Sequence, residues 1–222
     1  MPILKPDKEY TGRATIRMFN CDNRLFMEQV DDNHYDLAIC DPEYGIKKDG
    51  QKKSICKNSK HNRKEHKQKD WDSGVVSRGQ INEVIRVCKN QILWGANYYP
   101  EYLTGSMGWI FWDKGQRINQ SDGELAYTSF QRALRVIEAN RVELLKQGAI
   151  HPTEKPIYVY KHILSNYAEP GQRIFDGWGG SMSIAIACWD LGFDLDICEL
   201  DKDYFDAAVK RFENHIAQQT LF

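Results

Sequence analysis

Residues 36–41 read DLAICD, four consecutive apolar side chains held between two acids. A strand with one wet face alternates apolar and polar residues, whereas an unbroken run must be covered on both faces. Residues 37–40 therefore belong at the centre of a parallel sheet. The remaining segments agree with that placement. ATIRMFN (14–20), QILWGAN (91–97), GWIFWDK (108–114), QRIFDGWGG (172–180) and FDLDICELD (193–201) read as strands. ELAYTSF and ALRVIEA read as two more, running antiparallel. SRGQINEVIRVCKN (77–90) has helical spacing at Ile81, Val84, Ile85 and Cys88. KPIYVYKHILSNYA (155–168), SIAIACWDLG with Gly192 as its stop, and KDYFDAAVKRFENHIAQQ are further helices. Strands alternating with helices predict an α/β fold: a mostly parallel central sheet with helices on both faces.

The length of 222 residues suits one domain. No apolar run approaches the roughly 20 residues of a membrane span. The start, MPILKPDKEY, has no signal-peptide core. Six cysteines (Cys21, Cys40, Cys56, Cys88, Cys188, Cys198) form no CxxC pair, and four of them lie in apolar runs. They read as reduced thiols of a cytoplasmic protein, neither disulfides nor zinc ligands.

Ligands of open α/β sheets sit beyond the carboxyl ends of the strands. The turn FDGWGGSMS (175–183) stands there. Asp176 puts a carboxylate at a strand tip, and Gly177, Gly179 and Gly180 allow close backbone approach to a ligand. One helix later Glu199 ends a strand, where an acid can accept both hydroxyls of a ribose. This describes an adenosine site. A dinucleotide fold shares that fingerprint, but it needs more sheet after the acid, and the glycine spacing departs from G-x-G-x-x-G. An S-adenosylmethionine pocket needs one adenosine and no pyrophosphate, and fits better.

With a methyl donor in place, the awkward end of the opening strand acquires a purpose. DPEY (41–44) sets Asp41 and Pro42 at a turn. An exocyclic amine is a poor nucleophile because its lone pair is delocalised into the ring. The Asp41 carboxylate and the Pro42 carbonyl can accept its two hydrogens and localise that pair. Tyr44 offers a ring for a flipped base.

These segments resemble the amino-group DNA methyltransferases of the β-type motif order, in which a D-P-P-Y tetrad comes early and the glycine-rich cofactor turn late. DPEY (41–44), WGANYY (94–99), GWIFWDK (108–114), HPTEKP (151–156), IFDGWGGSMS (174–183) and CELDKDYFDAAVKR (198–211) follow that order over nearly the whole chain. The resemblance implies a Rossmann-like class I S-adenosylmethionine-dependent methyltransferase fold. It divides the chain into a catalytic half (1–114), a short recognition insert (115–150) and a cofactor half (151–222). It also implies catalytic roles for Asp41, Pro42 and Tyr44. Asp41, Asp176, Gly177, Trp178, Gly180 and Glu199 would line the cofactor site, and His151, Thr153 and Lys155 would close it around the methionine end. An initial Asp in the tetrad points to adenine N6 rather than cytosine N4. A two-subunit assembly is common in the family.

Two positions depart from the pattern. Glu43 replaces the second proline of the tetrad, which removes a fixed φ and adds a charge. Met182 replaces the last glycine of the cofactor turn. An inactive DNA-binding homologue is the rival these two substitutions raise.

Although the net charge is −1, residues 47–69 carry Lys47, Lys48, Lys52, Lys53, Lys57, Lys60, Arg63, Lys64, Lys67 and Lys69 against Asp49 and Glu65. So basic a loop beside Tyr44 is suited to the phosphates of double-stranded DNA. The chain ends QQTLF, and Gln218, Leu221 and Phe222 match the Q-x-x-L-F pattern of peptides that dock on the bacterial sliding clamp.

Overall fold

The computed structural model describes residues 4–46, 73–115, 121–139 and 154–219. Nine strands form one sheet: β1 (Lys8–Thr11), β2 (Thr15–Phe19), β3 (Tyr35–Cys40), β4 (Cys88–Trp94), β5 (Trp109–Asp113), β6 (Gly123–Thr128), β7 (Arg135–Glu138), β8 (Arg173–Asp176) and β9 (Asp194–Cys198). Their spatial order is β1-β2-β9-β8-β3-β4-β6-β5-β7. β2, β9, β8, β3 and β4 pair in parallel, as the apolar runs predict. β6 runs antiparallel to both β4 and β5, and β1 is antiparallel to β2.

The helices are α1 (Asn23–Met27), α2 (Arg78–Val87), α3 (Ile157–Tyr167), α4 (Ser183–Leu191) and α5 (Lys202–Gln219). Each central strand sends one parity of side chains to each face. Leu37 and Ile39 of β3, Ile92 and Trp94 of β4, and Leu195 and Ile197 of β9 join Ile163, Ile184 and Phe212 of α3, α4 and α5. Ala38 and Cys40, Leu93 and Cys198 join Phe26 of α1 and Ile81 and Val84 of α2 on the other face. Burying a side chain of this size contributes about 1.5–3 kcal/mol. α5 follows directly from its pattern. Phe205, Ala208, Val209 and Phe212 form its buried stripe. Asp201 caps it by accepting from the backbone N–H groups of Asp203 (3.0 Å) and Tyr204 (3.1 Å).

Three expectations need correction. The helix predicted over 77–90 ends at Val87, because Cys88 already has extended backbone and pairs with Tyr35 in the sheet. Its buried face is Ile81, Val84 and Val87, while Ile85 is 41% exposed. Of the two strands expected to be antiparallel, only β6 is. Both edges of β6 are taken, so the chain reverses and β7 lies parallel to β5 on that strand's outer edge. β1 carried no apolar signal: its KEYT sequence is the polar composition of an edge strand.

Cys40, Cys88, Cys188 and Cys198 are buried free thiols, as expected, and Cys56 lies outside the described residues. Among the described residues no helix is long and apolar enough to cross a membrane.

The topology fixes where a ligand can sit. β3 and β8 are neighbours, yet the chain leaves β3 for β4 on one side and leaves β8 for β9 on the other. That reversal opens a crevice at the carboxyl ends of the two strands. Asp41 follows β3, and Asp176 ends β8. Glu199 follows β9 and Gly95 follows β4. Because β6 is antiparallel, its beginning lies at the same rim, so Glu124 joins them beside Lys114, which follows β5.

Candidate active site

Asp41 is the hub of the crevice. Its Oδ1 accepts the Tyr44 hydroxyl and its Oδ2 pairs with the Lys155 ammonium. Lys155 Nζ also lies 3.4 Å from the Tyr44 hydroxyl and 3.0 Å from Glu124 Oε2. Glu124 Oε1 in turn holds Lys114 Nζ at 2.6 Å. The Lys155 side chain is only 1% exposed, and its ammonium stands 5.0 Å from the centre of the Trp94 ring.

Burial opposes the charge of Lys155, but Asp41 and then Glu124 outweigh it and raise its pKa above the ordinary value, so it stays an ammonium. Burial also pushes the Glu124 carboxyl up, yet Lys155 and Lys114 overcome that and hold it at about 2. For Asp41 burial is the largest influence. Lys155 pulls the other way, Glu124 pushes further up, and the net direction is upward. Burial and the adjacent Asp41 raise the Tyr44 phenol.

Tyr44 lies parallel to Tyr98, with ring centres 5.0 Å apart and planes 12° from each other. Tyr98 itself is 43% exposed. Behind Tyr44 the strand end must be glycine. Gly95 has φ +65°, and a Cβ there would fall 1.9 Å from Tyr44 Cε1. Gly95→Ala is expected to cost about 1–3 kcal/mol from backbone strain alone, and displacement of Tyr44 adds to that. Thermal unfolding checks it: the midpoint should fall by about 3–10 °C, and a fall of less than about 1 °C would contradict the packing.

The turn carrying Glu43 is closed without its second proline. The Glu43 carbonyl accepts from Val76 N–H at 3.1 Å, and Tyr44 forms a β-bridge with Val75. Among the described residues no hydrogen bond is made to the Pro42 carbonyl.

Beside Asp41, Asp176 is 1% exposed and accepts the Trp178 N–H at 2.9 Å. Burial pushes its carboxyl up to about 8; the Trp178 N–H opposes the rise, and the charges of Asp41 and Glu199 add to it. Glu199 binds the turn through Oε2, which accepts the Gly180 N–H, while its Oε1 accepts the Asp201 N–H ahead of α5, at 2.7 Å each. The Gly177 carbonyl accepts from Asn23 Nδ2 at 2.9 Å. Gly179 approaches its own sheet: its N–H donates to the Cys198 carbonyl at 2.7 Å, and a Cβ would stand 3.1 Å from that oxygen. This glycine therefore docks the turn on β9.

Met182 adopts left-handed backbone (φ 51°, ψ 35°) and turns its side chain into the core, where it is 1% exposed. The strain costs on the order of 1–2 kcal/mol, and the buried thioether side chain offsets about that much.

Arg211 of α5 ties the turn to the segment before α3. It donates to the Ser181 carbonyl (3.0 Å) and Ser183 Oγ (2.9 Å), and it pairs with Glu154 at 2.8 Å.

The structure thus brings Asp41, Pro42, Tyr44, Lys155, Asp176, Gly177, Trp178, Gly180 and Glu199 to one rim. Lys155 sits against Asp41 and Tyr44. His151, Thr153 and the basic residues Lys47, Lys48, Lys52, Lys53, Lys57, Lys60, Arg63 and Lys64 lie outside the described residues, as do Leu221 and Phe222. Gln218 is exposed near the end of α5. Glu124, Lys114, Asn23 and Arg211 were not singled out from the sequence. For the first two a signal exists, because Lys114 continues the inward parity of Ile110 and Trp112, and Glu124 shares that of Ala126.

No protein-family model and no curated protein matches the chain. Solved structures do. M1.HpyAVI in complex with SAM superposes with a TM-score of 0.61 at 16% identity, over 88% of this chain and 99% of that one. The PvuII DNA methyltransferase, cytosine-N4-specific, gives 0.60 at 12% identity, over 89% and 86%. TTHA0409 of Thermus thermophilus, assigned as a DNA modification methylase, gives 0.58 at 12% identity, over 90% and 95%. The chain has the α/β fold that these proteins share.

Proposed function

We propose that this protein is an S-adenosylmethionine-dependent DNA methyltransferase acting on the exocyclic N6 of adenine. The observation that carries the reading is the placement of Asp41 at the switch-point crevice, beside Asp176 at the end of the adjacent strand β8, with Glu199 following β9 one strand further on. The donor set fits the cofactor. Asp176 offers a carboxylate to an ammonium, and Glu199 offers lone pairs to a ribose diol. The docking of Gly179 keeps the turn low over β9.

S-adenosylmethionine supplies an electrophilic methyl group on a sulfonium. The chain's own work is to position the amine. Asp41 and the Pro42 carbonyl accept the amine hydrogens and concentrate the lone pair on nitrogen. Tyr44 and Lys155 take one lone-pair position on each Asp41 oxygen, and each oxygen has a second for the substrate. Its raised pKa suits Asp41 to receive the proton that the amine gives up on methylation. Tyr44 and the outward Tyr98 form an aromatic pair beside the place of the base. The described residues on either side of the basic segment 47–69 are joined by the Tyr44–Val75 bridge. The lysines of that segment are proposed to hold DNA phosphates there, so binding should weaken steeply with salt. Gln218, Leu221 and Phe222 are proposed as a clamp-docking tail.

The initial Asp of the tetrad favours adenine. The closed Glu43 turn and the inward Met182 side chain favour an active enzyme over a silent DNA-binding homologue. Methyl-labelled cofactor with unmethylated DNA, digested to nucleosides, tests this. Label is expected in N6-methyladenine, and Asp41→Ala is expected to lower the rate by about 10³-fold. Label in N4-methylcytosine would overturn the base assignment. Bound cofactor without any label would overturn the enzyme.

A further inference from the structure

Four charges meet at the crevice, the buried Lys155 and Lys114 and the partly exposed Asp41 and Glu124, and they exceed what anchoring the amine requires. Two of them, Glu124 and Lys114, belong to segments that no cofactor or tetrad motif contains. Buried ion pairs are seldom the most stable filling for a core, since apolar side chains of similar volume often do better. A charge chain maintained at the rim of a crevice therefore points to function. Its composition is informative: Lys114 and Lys155 are ammonium groups, and Glu124 and Asp41 are carboxylates, so the set is balanced. The balance matters because a sulfonium is cationic, and an amine becomes cationic as it attacks. Lys155 alone would repel both.

We propose, resting on the methyltransferase reading, that Glu124 is an electrostatic positioning residue. Backed by Lys114, it holds Lys155 against Asp41 and cancels the charge that Lys155 would present to a cationic methyl donor. Glu124 reaches the rim only because β6 is antiparallel and begins where its neighbours end. It bridges the two lysines with separate oxygens, at 2.6 Å and 3.0 Å. Removing its charge leaves a surplus positive unit. At the effective dielectric of a protein interior, such a surplus in the same crevice weakens the binding of a second cation by about tenfold or more.

The test compares S-adenosylmethionine with S-adenosylhomocysteine, which lacks the methyl group and the positive charge. Calorimetric titration of the full chain gives the affinity ratio of the two. In Glu124→Gln the ratio is expected to fall about tenfold, and kcat about 10²-fold. In Lys114→Met it is expected to shift the opposite way. The double variant restores the charge balance and is expected to bring the ratio back to within about threefold of the parent. A structural role would weaken both ligands alike and show no recovery in the double variant, and that result would overturn the proposal. Should Glu124→Gln not fold, the Lys114→Met shift decides: the opposite sign supports the proposal and no shift overturns it. A parent chain that binds neither ligand would instead remove the methyltransferase reading, and this proposal with it. A parent that binds both, with unchanged ratios in the variants, removes this proposal alone.

Discussion

Replacing Lys155 with methionine is expected to lower the unfolding midpoint by about 10 °C and to abolish methylation. The side chain is sealed from solvent and is shared by two carboxylates. Its loss removes the cation between Asp41 and Glu124, leaving Glu124 with Lys114 alone and Asp41 without an ion pair. Breaking a buried ion pair in this way costs about 3–5 kcal/mol, and a chain of this size loses about 2–4 °C per kcal/mol. The pH dependence separates this from a simple packing defect. In the parent, Lys155 has a pKa raised in the folded state, so its stabilisation is complete below its ordinary value and is lost as pH rises through the folded one. Glu124 is held at about 2 in the folded state, so its stabilisation is present above the ordinary carboxylate value and is lost as pH falls toward 2. In the variant, the two carboxylates repel until one is protonated. The deficit should therefore be greatest at neutral pH and shrink below about pH 5. Thermal unfolding of both proteins from about pH 4 to 8 measures it. A constant difference across that range would contradict the assignment of Lys155 as the shared cation.

The same cluster marks the limit of what the sequence makes legible. The unbroken run before Asp41 requires a covered central strand, and β3 is that strand, between β8 and β4. The glycine turn, the acid at 199 and the pattern of α5 were also readable, because each is a local property of a few consecutive residues. Of the strand directions beyond β4, that of β6 was readable and that of β7 was not. The orientation of β7 depends on which edges of β6 are already occupied, and that is a property of the whole sheet. Glu124 escaped notice for a related reason: its partners Lys114 and Lys155 come from other segments of the chain. Only its parity hinted that a charge pointed inward. Gly179 also has a role that its local sequence does not reveal. A glycine in a ligand turn suggests approach to the ligand, and here the backbone also approaches β9.

Asp176→Asn is expected to stabilise the apoprotein at alkaline pH while weakening cofactor binding by about 10²-fold, the equivalent of a charge-assisted hydrogen bond. Asp176 carries a pKa of about 8 in the folded chain against an ordinary 3.8, with burial as the main cause. Between those values the folded state holds a proton that the unfolded state releases, so stability falls as pH rises from about 4 to about 8. Asparagine removes that penalty and keeps an oxygen for the Trp178 N–H. The variant should match the parent near about pH 4 and exceed it by on the order of 5 kcal/mol at about pH 9. Binding runs the other way. An ammonium or sulfonium favours the ionised carboxylate, so affinity in the parent should tighten from about pH 6 to 8 and level off above. In the variant that slope should vanish. Asp41, Glu199 and Lys155 also face this carboxyl. The flat profile of the variant, compared with the slope of the parent, isolates the Asp176 contribution from theirs. A pocket that destabilises its own acid until a cation arrives trades stability for recognition. Equal cofactor affinity in parent and variant at about pH 8 would show that the cation sits elsewhere.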